Sequence, residues 1–378
     1  MKNKTNDTKL PLHSQLKLAL YEDYLNIFLP VLLLSKKFKR INVYDLCCGK
    51  GYYDKNQKDG SPVLALKSII HNYEEYAIKK NFHCTINFIY NDEDKEAYDS
   101  TTEHLNKIEK SPDIKLYPFN KDFTDLINET IIKALKSHDS SVRNLFFIDP
   151  YGYKSITENI LKGLLENKKS EIILFLPISH IHRFKGIAIE DDYESPQYTA
   201  LRNFIYEFVP ENDSFFKSKD VSVIELCEKI KEGFSFLDTY YTAFQLIERN
   251  QQNYNALFFI SHEHYGLEKF LEVKWNIDKE SGIKSKLNNL QLNLFQEKST
   301  KIYKDKIVEY LKTNKNATNV DMYFFGLKIG LTRKICNEIL KELSDSKEVE
   351  AIKIEDQKIS KYFYINPDGK KVYINYLQ

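Results

Sequence analysis

The sequence predicts an α/β fold: a mostly parallel, doubly wound sheet with a helical insertion, followed by a smaller domain of helix-turn-helix type. Three observations predict it. Short apolar runs alternate with helical periodicities through the first part of the chain, the alternation breaks between about Arg183 and Gly233, and helical stretches followed by alternating strands appear after Thr300. A chain of 378 residues, 42% hydrophobic and 29% charged, has the composition of an ordinary globular protein and the length for more than one domain.

Leu16–Lys37 places apolar residues at helical intervals (Leu18, Leu25, Leu29, Leu32), which predicts one or two helices packed on a core. Ile41–Cys47 is a short apolar strand ending in a Gly-containing turn, and Ser61–His71 is the helix after it. Thr85–Tyr90, Ile114–Pro118, Asn144–Ile148 and Glu171–Leu176 are further strands, with helices to His104 and over Phe123–Ser137. Residues 183–233 read as a mostly helical insertion. Thr239–Leu246 and Ala256–Ser261 read as an antiparallel pair joined by the polar turn Arg249–Tyr254, and Gly266–Trp275 as a helix. The expected division is a sheet domain over 1–285, a linker over 286–299 and a winged helix-turn-helix over 300–378. In the last, Ile302–Thr313, Asp321–Gly330 and Thr332–Ser344 are helical, and Val349–Lys353 and Tyr362–Ile365 are strands. Gly330-Leu331-Thr332 sets a C-cap glycine directly before an N-cap threonine, the chemistry of a tight helix-helix turn.

No uninterrupted apolar stretch approaches the roughly 20 residues of a membrane span, and the N-terminus lacks the apolar core of a signal peptide. A cytoplasmic protein without a membrane partner is expected. The five cysteines are scattered without a CxxC spacing, which argues against a disulfide framework and a zinc knuckle. Net charge is +1, but from Lys298 onward 16 Lys/Arg face 11 Asp/Glu. The pairs His180/His182 and His262/His264 follow strands without an accompanying ligand spacing, so no metal is expected.

Two segments carry chemistry. Asp45-Leu46-Cys47-Cys48-Gly49-Lys50-Gly51 ends a strand with a carboxylate and two glycines spaced D-x-x-x-G-x-G. Such a turn lets backbone approach a cofactor closely, and the spacing favours S-adenosylmethionine (SAM) over a dinucleotide. Asp45 is placed to meet the methionine ammonium. Tyr90, Asn91 and Asp92 are the candidates to hold the ribose hydroxyls at the end of the second strand. After the third strand, Asp122 either accepts from the adenine amine or caps the following helix, and Phe123 offers a face for the ring.

The second segment, Phe147-Ile148-Asp149-Pro150-Tyr151-Gly152, is an apolar strand that stops at an Asp-Pro-aromatic turn. It suits methyl transfer to an exocyclic base nitrogen: Asp149 and the neighbouring carbonyl at Pro150 accept from the amine, Tyr151 stacks and Gly152 leaves space. An ordinary β-turn with Pro at its favoured position is the plainer reading.

These segments, with Tyr21–Leu33, Gly60-Ser61-Pro62, Ala65-Leu66, Gly266-Leu267-Glu268 and Trp275, resemble the three-Cys-motif partner protein (TcmP) family over most of residues 10–280. Gly60-Ser61-Pro62 is the discriminating element. The chain has Cys47-Cys48 and Lys50 where the family commonly carries Phe-Ala and Pro. The resemblance implies a Rossmann-like SAM methyltransferase fold and association with a partner bearing three cysteines in an iron–sulfur or radical-SAM-like arrangement. It also implies, in many members, a C-terminal winged helix. The Asp149–Gly152 turn is similar to that of the tRNA guanine-N2 dimethyltransferases. Two functions are therefore expected: a SAM-dependent methyltransferase acting on DNA or RNA, with Arg333, Lys334 and Lys341 in contact with the nucleic acid, or a binding scaffold for the partner. Transfer of the aminocarboxypropyl group of SAM from the same pocket is a third.

Overall fold

The computed structural model describes residues 12–53, 58–189, 196–209, 221–247, 254–278, 284–286, 301–368 and 370–377. The chain divides into two compact units, residues 1–266 with 285–288 and residues 267–284 with 289–378.

The first unit is built on one sheet. Helix α1 (Leu12–Ser35) precedes β1 (Arg40–Asp45), and a short hairpin, Tyr52–Tyr53 with Lys58–Asp59, precedes α2 (Ser61–Tyr76). Then come β2 (Thr85–Asn91), α3 (Lys95–Asn106), β3 (Ile114–Phe119), α4 (Phe123–Leu126), a π turn (Ile127–Ile131) and α5 (Ile132–Lys136). β4 (Val142–Ile148), α6 (Glu158–Leu165) and β5 (Ser170–Leu176) follow. The insertion comprises α7 (Ile178–Ile189), α8 (Pro196–Phe208) and α9 (Val223–Gly233), and the sheet resumes with β6 (Tyr240–Ile247) and β7 (Tyr254–Ser261). The strand order is β3-β2-β1-β4-β5-β7-β6; β1 to β5 are mutually parallel and β7 is antiparallel to both its neighbours. A short strand, Lys284–Lys286, follows β6 at the outer edge. This order, with one reversed strand, is the antiparallel closure expected of a methyltransferase-like, Rossmann-like sheet. The expected polar turn between β6 and β7 lies outside the described residues, as does nearly all of the expected linker.

Parallel strands bury both faces, and β4 and β5 do so almost throughout. Register is reinforced by a row of asparagines across three strands. Asn42 Nδ2 donates to Asn144 Oδ1 at 2.8 Å, and Asn87 Nδ2 donates to Asn42 Oδ1 at 2.9 Å. The helix expected at the N-terminus is a single helix of 24 residues, long and apolar enough by length and composition to cross a membrane. It is not an uninterrupted apolar stretch, since Lys17, Glu22 and Asp23 fall within it. Its apolar side is used by the fold: Tyr21 stacks on Phe147 with ring centres 4.0 Å apart, Tyr24 meets Phe259 edge-on, and Leu25, Leu29 and Leu33 are fully buried.

In the second unit the latter part of α10 (His264–Ile277) is joined by α11 (Lys301–Thr313), α12 (Asn319–Ile329) and α13 (Arg333–Asp345). These are followed by β8 (Val349–Lys353) and β9 (Val372–Tyr376), paired antiparallel, with short strands Ala317–Thr318 and Ile359–Ser360 on their flanks. Gly330 is left-handed and Thr332 caps α13, as the turn chemistry predicts. α10 belongs here from Leu267 onward, whereas the sequence reading kept it with the sheet. Trp275 Nε1 donates to Gly330 O at 2.9 Å, and Glu268 is held by Arg333. The expected strand Tyr362–Ile365 does not form. Its alternation reflects burial of Phe363 and Ile365 alone; Tyr364 is left-handed and Val372–Tyr376 takes the place beside β8.

Candidate functional site

The carboxyl ends of β1 to β4 converge on one edge. β1 ends at Asp45, and the turn after it is pinned from three directions. Gly49 (φ +65°) and Gly51 (φ +80°) adopt the left-handed conformations that favour glycine. Gly49 N donates to Asp92 Oδ2 at 2.8 Å, Thr101 Oγ1 donates to Gly49 O at 2.7 Å, and Gly60 N donates to Gly51 O at 2.6 Å. A Cβ on Gly60 would lie 2.8 Å from that same carbonyl, so the Gly60-Ser61-Pro62 element is glycine-led because backbone meets backbone there. Pro62 sits in the first turn of α2, where a missing N–H costs nothing.

Of the three ribose candidates, Tyr90 donates to Thr102 on α3. Asn91 clamps the strand ends, donating to Leu46 O and Lys121 O and accepting from Lys121 N. Asp92 alone of the acidic residues there both holds the glycine turn and lines a cavity of about 340 Å³. The same cavity is lined by Asn91, Asp122, Phe123, Pro150 and Tyr151, so with Asp92 the structure gathers six of the expected residues at one place. Cys47, Glu93 and Lys154 join them without having been expected. A larger cavity, about 510 Å³, lies between α1 and α2 and is not at the strand ends.

Some expectations change. Asp122 is the N-cap of α4, its Oδ1 accepting from Thr124 N at 2.8 Å and Asp125 N at 3.0 Å, so the capping alternative is the one realised. Gly152 N donates to Pro150 O at 2.7 Å in a tight turn with Gly152 at φ +119°. A Cβ at Gly152 would meet nothing within 4 Å, so that glycine serves its backbone conformation rather than clearance. Tyr151 is 81% exposed at the cavity mouth. Asp149 is already engaged through one oxygen: Lys17, from α1, forms an ion pair with its Oδ2. Lys17 is buried and its ammonium lies 4.5 Å from the centre of the Phe175 ring. Sequence reading missed Lys17, a single lysine in an apolar helical pattern.

Asp45 is fully buried, and among the described residues neither carboxylate oxygen has a partner at full hydrogen-bond geometry, the Ser61 hydroxyl being close enough only to bias it. Burial pushes its pKa up to about 7; the Ser61 hydroxyl and Lys17 pull it down, and Asp149 and Asp92 add to the rise. Burial, with the charges of Asp149 and Asp45, pushes the nearby Tyr53 hydroxyl up to about 12. Asp45, Gly49, Gly51 and Asp149 do not line the cavity, and Tyr52 packs edge-on to His104.

No protein-family model and no curated protein matches the chain. Among solved structures the chain is similar to the O-methyltransferase TomG from Streptomyces achromogenes, in complex with SAM, at 10% identity and a TM-score of 0.31. That match covers 62% of this chain and 79% of TomG. It is similar also to a putative methyltransferase from Thermobifida fusca at 11% identity and a TM-score of 0.30, covering 64% and 81%. A putative class I SAM-dependent methyltransferase from Listeria monocytogenes matches at 10% identity and a TM-score of 0.29, covering 69% and 63%.

The histidine pairs stand elsewhere. A ring nitrogen of His182 is 2.6 Å from Val221 O, and His180 packs between Tyr153 and Phe184. Among the described residues no cluster of three His, Cys, Asp or Glu could hold a metal. In the second unit Arg333, expected on nucleic acid, is instead bound through two nitrogens to the buried Glu268 at 2.5 and 2.6 Å, with Tyr323 Oη donating to the same carboxylate at 3.2 Å. An internal carboxylate needs a fixed cation, and Arg333 supplies it. Lys334 and Lys341 are exposed.

Proposed function

We propose that the chain is a SAM-dependent methyltransferase-like protein acting on an exocyclic base nitrogen of nucleic acid. It is further proposed to belong to the TcmP family and to work with a three-Cys-motif, iron–sulfur or radical-SAM-like partner. The observation that carries the SAM reading is Asp45: a fully buried carboxyl group, without a full hydrogen bond among the described residues and followed by a left-handed glycine turn, is one that a ligand ammonium would complete. The fit extends to the cavity, where Asp92 suits the ribose hydroxyls and the Phe123 face suits the adenine ring. Bound SAM would supply an electrophilic methyl group. The chain's own part is then positioning: Asp149 and the Pro150 carbonyl accept from the amine, and exposed Tyr151 stacks on a base outside a duplex. The helix-turn-helix and paired strands of the second unit support a winged helix as its nucleic-acid contact.

The sealed position of Asp45 and the Lys17–Asp149 pair favour a second reading, a scaffold that keeps the cleft without turnover. Calorimetric titration of the protein and of Asp45→Ala with SAM separates the two. Heat that disappears in Asp45→Ala is expected; a wild-type protein that gives none at high micromolar SAM would leave the scaffold reading.

A further inference from the structure

The buried charges beneath the cavity do not balance. Lys17 is 6% exposed and paired with Asp149, while Asp45 is fully buried with neither oxygen in a full hydrogen bond among the described residues. The Lys17 charge reaches Asp45, whose ionised form it favours, and so does that of Asp149, with the opposite sign. Two carboxyl groups, Asp45 fully buried and Asp149 a quarter exposed, therefore share one ammonium, and a ligand that brought a cation to Asp45 would complete them. If that group is an amino-acid zwitterion, its ammonium goes to Asp45 and its carboxylate needs a cation in turn. Lys17 is the buried cation beside Asp45, on a long unbranched stem that lets the charge swing between partners.

Resting on the SAM reading above, we infer that Lys17 is the anchor for the α-carboxylate of SAM: it exchanges Asp149 for the ligand's carboxylate on binding. The exchange has a consequence for the other half of the site. While Lys17 holds Asp149, one oxygen of that carboxylate is engaged; once Lys17 turns to the ligand, Asp149 is released to accept from an exocyclic amine. Cofactor binding and substrate orientation are thus linked through one side chain, and SAM binds before the nucleic acid. Lys17 in this role is a positioning residue for Asp149 and a binding residue for the cofactor.

The test compares ligands that differ at the amino-acid end. Calorimetry on the full chain measures SAM, decarboxylated SAM and 5′-methylthioadenosine against wild type, Lys17→Met and Lys17→Arg, with thermal melts to confirm folding. Wild type is expected to prefer SAM over decarboxylated SAM by about tenfold or more, the scale of one charge-assisted contact. Lys17→Met is expected to lose that preference while binding 5′-methylthioadenosine as wild type does, and Lys17→Arg to retain most of it. An unchanged preference in Lys17→Met, or tighter SAM binding there, overturns the anchor and makes Lys17 a plug. Wild type that binds neither SAM nor 5′-methylthioadenosine overturns the SAM reading itself. If Lys17→Met does not fold, the Arg variant decides: a guanidinium at the same place keeps the preference if the charge is the anchor, and loss of the preference with 5′-methylthioadenosine still bound overturns it.

Discussion

At Asp45 burial is the source both of a cost to stability and of the proposed use. Its pKa of about 7 lies above the ordinary carboxylate value, so between those two values the folded protein holds a proton that the unfolded chain has released. Stability from this group therefore falls as pH rises from about 4 to about 7 and is constant beyond. Asp45→Asn removes the dependence: it should raise stability at pH 8 by an amount on the order of a few kcal/mol, with little change at pH 4, as read by denaturant melts across pH. The same variant should lose SAM binding, and a variant no more stable than wild type at pH 8 would contradict the buried charge. Tyr151 should behave in the opposite way. Being 81% exposed, it can be replaced by Ala with a stability change within about 0.5 kcal/mol, while affinity for single-stranded oligonucleotide drops by about 1–3 kcal/mol. The left-handed glycines Gly49 and Gly51 after the carboxylate of Asp45 were legible because backbone conformation at a strand end is a local need, while Asp92 was legible only as one of three neighbours. Lys17 was not, since it reaches Asp149 from 132 residues away and nothing in its neighbours announces the pairing.

Elements were legible in proportion to how local their causes are. The inner parallel strands β4 and β5 announced themselves as apolar runs because both their faces are buried, whereas the edge strand β3 is half exposed; the turn between α12 and α13 was legible through Gly330 and Thr332. The hairpin Tyr52–Tyr53 with Lys58–Asp59 is two residues a side and has no periodicity to read. The asparagine row was equally invisible: Asn42, Asn87 and Asn144 lie far apart in sequence and look out of place in buried strands until their register aligns them. Asn42→Ala leaves the Asn144 carbonyl and the Asn87 amide without that partner, and should cost about 1–3 kcal/mol in a denaturant melt. Gly60→Ala tests the glycine turn as a unit. Its Cβ would meet the Gly51 carbonyl at 2.8 Å, and with backbone on both sides the turn must move. A cost of about 1–3 kcal/mol is expected with weakened SAM binding; unaltered affinity would show that the turn tolerates displacement.

For the molecule as a whole, a net charge of +1 conceals an uneven distribution, and this bears on how nucleic acid would be held. The sequence pointed to α13, but the structure commits Arg333 to the buried Glu268, and exposed Glu342 and Asp345 offset Lys334 and Lys341. Between β8 and β9 the exposed residues include Lys353, Lys358, Lys361, Lys370 and Lys371 against Glu355, Asp356 and Asp368, with Tyr362 57% and Ile359 72% exposed. Exposed lysines in the same segment as an exposed aromatic, with Lys361 beside the Tyr362 ring, suit phosphate contact combined with base stacking. Each phosphate contact contributes about 0.7–0.9 to the slope of log affinity against log salt. Replacing Lys358, Lys361, Lys370 and Lys371 together by Ala should therefore lower that slope by about 3, measured by anisotropy of a labelled oligonucleotide over a salt series. Replacing Lys334 and Lys341 should lower it by less than about 1. Arg333→Ala should instead destabilise the second unit by about 3 kcal/mol, because it strands a buried carboxylate, and should leave the slope unaltered in the folded fraction. The reverse ranking of the two lysine sets would return the contact surface to α13.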